Sequence, residues 1–313
     1  MITKPIVLIL GAGASSVYGF HTGEQLVSNI ISNLRPLSKN ETRGNDDWVA
    51  FLIDNFEIKE EEIYDFQDKL YYAKISVDAF LEYNQNFLKV GKLAIAMSLI
   101  SQEYDEKLFS AQRNWLDYLR IELDAPFDVF GENELSIITF NYDRSVEQYL
   151  FTVLKNTYGR SNAECVEQLS KIPIIHVHGK LGSLPWQGKN GRPYENKITP
   201  ENIKLASDQI IIISESNEDS KEFRQAFELL GNADEGKIYF LGFGFNPVNL
   251  RRLKFNVLKN IKIQNPIASG TSFNFPATKQ RVLADEWRIS TDWQTGNKNR
   301  DILNFLENIA IIE

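Results

Sequence analysis

Four short stretches of the sequence combine glycine with polar side chains that could carry out chemistry. They are Gly11–Ser15, Asn141–Asp143, His178–Gly179 and Gly242–Phe245. Glycines allow a backbone to approach a phosphate closely. Amide and carboxylate side chains bind hydroxyl groups, and a histidine can serve as a general base. Residues of these types, if the fold brings them together, would suit a cleft that binds a nucleotide.

The first stretch is a glycine turn that consists of Gly11, Ala12, Gly13, Ala14 and Ser15. It follows the apolar run 5–10, which is typical of a buried parallel strand. A helical pattern then extends from about Ser16 to Leu34. A strand, a glycine turn and a helix begin a dinucleotide-binding unit, in which the helix N-terminus faces the pyrophosphate. Because Ser16 replaces the third glycine of that fingerprint, a simple tight turn is the alternative.

The second stretch places Asn141 and Asp143 after a predicted strand at 136–140. Ligands of open α/β sheets bind outside the carboxyl ends of the strands, where both side chains could bind ribose hydroxyls or a water molecule. Alternatively, Asp143 caps the helix that is predicted from Arg144 to Tyr158.

The third stretch contains two of the three histidines, His176 and His178. His178 stands before a glycine at a predicted strand end, which favours a general base, whereas His176 lies deeper in the strand and is interpreted as structural. The alternative for His178 is also a packed structural histidine. No third ligand for a two-histidine metal site is evident nearby, so we expect no metal.

The fourth stretch follows a predicted strand at 237–241 and contains Gly242 and Gly244, with Asn249 a few residues later. A second glycine-lined strand end could contact the other side of a dinucleotide. Close packing between a helix and a strand is the alternative explanation for these glycines.

The pattern of the whole chain predicts an α/β fold, namely a Rossmann-like doubly wound parallel sheet with a helical insertion. Residues 1–35 plus 131–313 are predicted to form the nucleotide-binding domain, and 36–130 to form the helical insertion. The strands are predicted at 5–10, 136–140, 173–177, 209–213 and 237–241.

Composition narrows the possible partners and compartments. The chain has 313 residues, with 34 Lys and Arg against 42 Asp and Glu, giving a net charge of -8, so we expect no direct nucleic-acid binding. The single cysteine, Cys165, excludes an intramolecular disulfide and any zinc site that needs several cysteines. No apolar run is long enough to span a membrane, and no signal peptide is recognised. These features predict an intracellular, cytoplasmic protein without membrane association.

The four stretches and their order resemble the sirtuin-like family of NAD-consuming domains. Val77–Leu81 and Ile213–Glu215 resemble its bacterial antiphage-defence branch. The resemblance implies roles for the residues already named. The Gly11–Ser15 turn would hold the pyrophosphate of NAD, Asn141 would position the nicotinamide ribose or a water molecule, and His178 would be the base. Asp143 would support the ribose end, and the adenosine side would be lined by Gly242, Gly244 and Asn249.

Two departures argue against protein deacetylation. The deacetylases of the family carry four zinc-binding cysteines and a Gly-Ile-Pro-x-Phe-Arg loop, but this chain has one cysteine and has Gly19–Glu24 in place of that loop. The resemblance therefore implies a glycohydrolase that cleaves its substrate NAD to nicotinamide and ADP-ribose, as an effector that depletes NAD in antiphage defence. Such an enzyme would be controlled by homo-oligomerisation or by a partner such as an ATPase or a nucleic-acid-sensing protein. A protein deacylase and a non-catalytic module that senses NAD or ADP-ribose are the alternatives.

Overall fold

The computed structural model describes residues 1–36, 47–112, 114–212, 220–234, 237–272, 275–291, 301–308, 310 and 312. The chain divides into two compact units. Unit 1 comprises Met1–Tyr18, Glu106–Val177 and Glu218–Glu313, and unit 2 comprises Gly19–Asp105 and His178–Asn217. The segment 36–130, predicted as one helical insertion, lies partly in each unit, and its described part is mainly helical.

Unit 1 contains a sheet of six parallel strands. The strands are β1 Ile6–Leu10, β2 Leu135–Thr139, β3 Ile174–His176, β4 Ile238–Leu241, β5 Ala268–Gly270 and β6 Ile289–Ser290. Their order across the sheet is β3-β2-β1-β4-β5-β6, and every neighbouring pair is parallel. This is the order of a Rossmann-like doubly wound sheet, which confirms the predicted fold class.

Strand β1 is the centre of this sheet because it pairs with β2 on one side and with β4 on the other. All five of its residues are buried, as expected for a strand with helices on both faces. The chain builds outward from β1 through β2 to β3, and then returns to β4 and continues to β6. The strand order therefore reverses at β1 and β4, where open α/β sheets bind their ligands.

Four of the five predicted strands are confirmed, and one is wrong. Of the predicted strand 209–213, the described residues 209–212 do not join the sheet: Ile210 forms an isolated antiparallel bridge to Gly179, and residue 213 lies outside the described residues. A short apolar run cannot by itself distinguish a sheet strand from another buried segment. The sequence analysis also missed β5 and β6, whose three and two residues are too short to give a pattern.

The helices surround the sheet in unit 1 and form most of unit 2. Their bounds are α1 Gly23–Leu34, α2 Trp48–Phe56, α3 Glu60–Ala73, α4 Val77–Tyr83, α5 Leu88–Ile100, α6 Asp105–Ser110, α7 Trp115–Glu122, α8 Ser145–Tyr158, α9 Asn162–Leu169, α10 Pro200–Ser207, α11 Lys221–Asn232, α12 Pro247–Arg252, α13 Phe255–Ile261, α14 Ala277–Trp287 and α15 Ile302–Asn308. Within the described ranges, no helix has the length and apolar character needed to cross a membrane.

The core of unit 2 is α5, which is buried on almost every side and carries alanine, leucine and isoleucine throughout. Helices α1, α3, α4 and α10 pack around it. A Cβ atom at Gly91 of α5 would lie 2.5 Å from Leu81 of α4, so glycine allows these two helices to approach closely.

A buried ion pair fixes the long loop between Gly182 and Thr199 within unit 2. The Arg192 guanidinium contacts the Glu103 carboxylate at 2.5 Å, and the two side chains are 1% and 0% exposed. Arg192 Nε also donates to Leu181 O at 2.8 Å. The pair therefore ties the loop that follows His178 to the segment after α5.

Replacing Arg192 by leucine should destabilise unit 2 strongly, because the change leaves the buried Glu103 carboxylate without its guanidinium. We expect Arg192→Leu to lower the free energy of unfolding by about 3–5 kcal/mol in urea titrations. Asp65→Asn is the control, since Asp65 pairs with Lys69 on a half-exposed surface and should cost less than about 1 kcal/mol. Equal stability of the two variants would contradict this account.

Candidate functional site

Unit 1 brings three of the four predicted stretches to the point where the strand order reverses. The Gly11–Ser15 turn follows β1, Asn141–Asp143 follows β2, and Gly242–Phe245 follows β4. Because these strands are parallel neighbours, their carboxyl ends share one edge of the sheet. His178 belongs to unit 2 and is described separately below.

The glycine turn leads into short 3₁₀ turns rather than an α-helix. Ala12–Ala14 and Ser16–Tyr18 each form one such turn, and α1 begins only at Gly23. The predicted helical start at Ser16 is therefore wrong, because a helical pattern of apolar residues does not reveal where the helix begins. The turn has no α-helix N-terminus directly behind it to face a phosphate.

Most N–H groups of the turn donate to carbonyl groups of the protein. Gly11 N donates to Leu241 O and Gly13 N to Gly242 O, both at 3.0 Å, while Ala14 N donates to Gly11 O at 2.8 Å. Gly11 N and Gly13 N therefore hold the turn against the end of β4 and the loop after it, whereas Ala14 N closes the turn on itself.

The closeness of that contact explains three glycines without reference to a ligand. A Cβ atom at Gly242 would lie 2.3 Å from Ala14 N, and one at Gly11 would lie 2.6 Å from Gly242 O. A Cβ atom at Gly13 would lie 2.9 Å from Gly242 Cα. Gly242 also has a φ of 59°, a conformation that favours glycine. The alternative of close packing thus describes what the glycines do in this fold.

Asn141 joins the end of β2 to the turn after β1. Its Nδ2 donates to Gly11 O at 2.9 Å and to Ser15 Oγ at 3.0 Å. The Gly11 carbonyl can only accept, so the amide nitrogen must face it, and the orientation of the amide is fixed. Since both amide hydrogens are donated within the protein, Oδ1 is the group with which Asn141 could accept a hydrogen bond from a ligand.

Asp143 bonds the start of α8, as its alternative role as a helix cap predicts, and also bonds the turn after β1, whereas its role in ligand binding stays a prediction. Its Oδ2 accepts from Ser15 Oγ at 2.6 Å, and its Oδ1 accepts from Ser145 N at the start of α8, at 3.1 Å. Ser15 Oγ therefore donates to Asp143 and accepts from Asn141. All three of these side chains are at least nine-tenths buried, which makes the network a rigid element.

Helix α7 supports the turn from a part of the sequence about a hundred residues away. Trp115 Nε1 donates to Ala14 O at 2.8 Å, and Tyr18 OH donates to Asn114 Oδ1 at 2.6 Å. Burial raises the pKa of the Tyr18 phenol far above its usual range, so this hydroxyl remains a donor. The sequence analysis missed these residues because no local pattern connects them with the turn.

His178 is held in unit 2 by the segment that contains Gln209 and Ile211. Ile211 N donates to His178 O at 2.8 Å. Gly179 has a φ of 71°, and a Cβ atom there would lie 1.9 Å from Gln209 O, so only glycine fits after this histidine. The side chain of His178 is buried, and its assignment as a base stays a prediction.

The remaining predicted residues lie outside the hydrogen-bonded network. Ala12 is half-buried, Gly244 is exposed, and Asn249 lies half-buried in α12. In unit 2, Val77–Leu81 is part of α4. Ile213–Glu215 lies outside the described residues.

A cavity of about 560 Å³ lies between β6 and α14 in unit 1, and none of the predicted residues lines it. Among the side chains that the structure describes, no group of three or more His, Cys, Asp or Glu could hold a metal ion.

Comparison with models of known protein families finds no match, and a search of curated proteins finds no significant match either. The sirtuin-like resemblance therefore depends on the sequence motifs alone.

The contact between the two loops predicts that alanine substitutions at two nearby glycines, Gly242 and Gly244, affect stability differently. We expect Gly242→Ala to lower the free energy of unfolding by about 2–5 kcal/mol, because the methyl group meets backbone and the φ is unfavourable. Gly244→Ala is the matched control, since its Cβ atom would meet nothing within 4 Å. Urea titration measures both, and a Gly242→Ala protein as stable as the control would contradict the packing explanation.

Proposed function

We propose that this protein is a sirtuin-like NAD glycohydrolase, which cleaves NAD to nicotinamide and ADP-ribose. One observation supports the proposal most directly: Asn141 lies at the carboxyl ends of β1 and β2 with both amide hydrogens donated inside the protein. Its Oδ1 is then a positioned acceptor for a ribose hydroxyl or an attacking water molecule. The Rossmann-like order of the sheet supports the choice of a dinucleotide.

The proposed reaction breaks the bond between the nicotinamide nitrogen and the ribose. Nicotinamide leaves with the bonding electron pair, which neutralises its positive charge and leaves an oxocarbenium-like ribose. A water molecule adds its oxygen to the anomeric carbon, and the proton that it loses passes to His178 as general base. Asn141 would orient the water or the ribose, and Asp143 would stabilise this arrangement through Ser15.

The proposal assigns the rest of the substrate to the loops after β1 and β4. The pyrophosphate would lie along the Gly11–Ser15 turn, including Ala12 and Gly13, and the adenosine near Gly242, Gly244 and Asn249. Because several N–H groups of the turn already donate to protein carbonyls, binding would depend on the shape of the turn more than on free amides.

We further propose that the enzyme is an effector of bacterial antiphage defence that depletes NAD. An enzyme of this kind must be inactive in healthy cells, so its activity would be controlled by homo-oligomerisation or by a partner such as an ATPase or a nucleic-acid-sensing protein.

Product analysis tests the reaction and separates it from the two other functions. Purified protein is incubated with NAD, with and without the product of a neighbouring gene, and the products are separated by chromatography. Equimolar nicotinamide and ADP-ribose are expected. Nicotinamide release only with an acylated peptide would indicate a deacylase, and saturable NAD binding without turnover would indicate a sensing module.

Variants at Asn141 and His178 should lose turnover while remaining folded. We expect Asn141→Ala and His178→Ala each to lower kcat by about 10²–10⁴-fold. The first change removes the group that orients the water or the ribose, and the second removes the group that accepts the proton. Asn156→Ala is the control, since this exposed asparagine only contacts Thr152 O of its own helix. Rates and melting temperatures are measured on the same preparations, and folded variants with wild-type rates would eliminate the assignment.

A further inference from the structure

His176 occupies a defined place beside the Asn141 network. It is the last residue of β3 and pairs in register with Thr139, the last residue of β2. Val177 N donates to Thr139 O at 3.0 Å and continues this pairing. Asn141 follows Thr139 by two residues, so parallel pairing brings the histidine next to the main chain of Asn141.

Both ring nitrogens of His176 have partners. Nδ1 lies 3.0 Å from Asn141 O, and because a carbonyl can only accept, Nδ1 carries a hydrogen and donates it. Nε2 lies 2.9 Å from Glu147 Oε1, on the first turn of α8. The side chains of His176 and Glu147 are 7% and 5% exposed, so the ring has no room to adopt another orientation.

Asn141 is consequently held at each of its polar groups except Oδ1. Its N–H donates to Thr139 Oγ1 at 3.0 Å, its carbonyl accepts from His176, and its amide nitrogen donates to Gly11 and Ser15. These contacts determine the direction of Oδ1. One of them, the hydrogen bond from His176, is made by a side chain of β3.

We propose that His176, supported by Glu147, is a positioning residue that fixes the main chain of Asn141 and thereby the direction of its Oδ1. The geometry itself concerns only the described residues of unit 1, whereas the effect on NAD hydrolysis rests on the proposed function. Small displacements of a positioned group can lower a rate by about 10²-fold, which sets the size of the expected effect.

Two polar substitutions at position 176 separate the roles of the two ring nitrogens. His176→Asn keeps a donor where Nδ1 lies, and His176→Gln keeps a polar group where Nε2 lies. We expect His176→Gln to lower kcat about 10–100-fold with KM nearly unchanged, and His176→Asn to recover most of that loss. Asn156→Ala is again the control and should stay close to the wild type, because this exposed asparagine donates to Thr152 O of its own helix.

A second readout does not depend on NAD hydrolysis. In protein labelled with ¹⁵N-asparagine, the side-chain amide signals of Asn141, identified by their loss in Asn141→Ala, report on its hydrogen bonds to Gly11 and Ser15. We expect these signals to shift in His176→Gln and to remain near their wild-type positions in His176→Asn and in the control Asn156→Ala. Melting temperatures identify any variant whose folded fraction has fallen.

The outcomes distinguish this inference from the proposed function. If folded His176→Gln leaves the Asn141 signals unchanged, or if His176→Asn and His176→Gln lose the same activity and show the same signals, the positioning role is wrong. If the wild-type protein does not hydrolyse NAD but the amide signals respond as expected, the positioning role holds and the proposed function fails.

Discussion

The architecture depends on how closely two loop backbones approach at the centre of the sheet. The turn after β1 donates through Gly11 N to Leu241 O at the end of β4 and through Gly13 N to Gly242 O in the loop that follows. A Cβ atom at Gly242 would lie 2.3 Å from Ala14 N. The contact requires glycine at these positions because any larger residue would clash. It lies at the point where the strand order reverses. Within unit 1, the polar side chains of the proposed site, Ser15, Asn141 and Asp143, are arranged around this fixed turn.

Around the turn, one set of hydrogen bonds serves both folding and the proposed chemistry. Asn141 and Asp143 connect β2 to the turn through Gly11 and Ser15, and Trp115 connects α7 to it. Buried polar groups of this kind are stabilised by hydrogen bonds to one another, so each bond in the network fixes the position of the next residue. The consequence is that substitutions in this network must be read with stability and activity measured together.

The sequence predicts the centre of the sheet well because β1 and β4 are continuous apolar runs. It predicts where three of the four motifs lie because they follow strand ends. It could not give β5 and β6, which are too short for a pattern, nor reveal that Ile210 bridges to Gly179 instead of joining the sheet. Local patterns also carry no information on long-range partners. The bonds from Trp115 to Ala14 and from His176 to Asn141 exist only because the sheet brings distant segments together.

The central claim is that Asn141 faces the ribose of NAD, and a crystal structure with an unreactive analogue tests it most directly. A suitable analogue has a methylene group in place of the nicotinamide-ribose ring oxygen, which prevents an oxocarbenium ion from forming. The account predicts a ribose hydroxyl or an ordered water molecule within hydrogen-bond distance of Asn141 Oδ1, about 2.7–3.0 Å. An analogue bound elsewhere, for example in the cavity between β6 and α14, with Asn141 untouched, would contradict it.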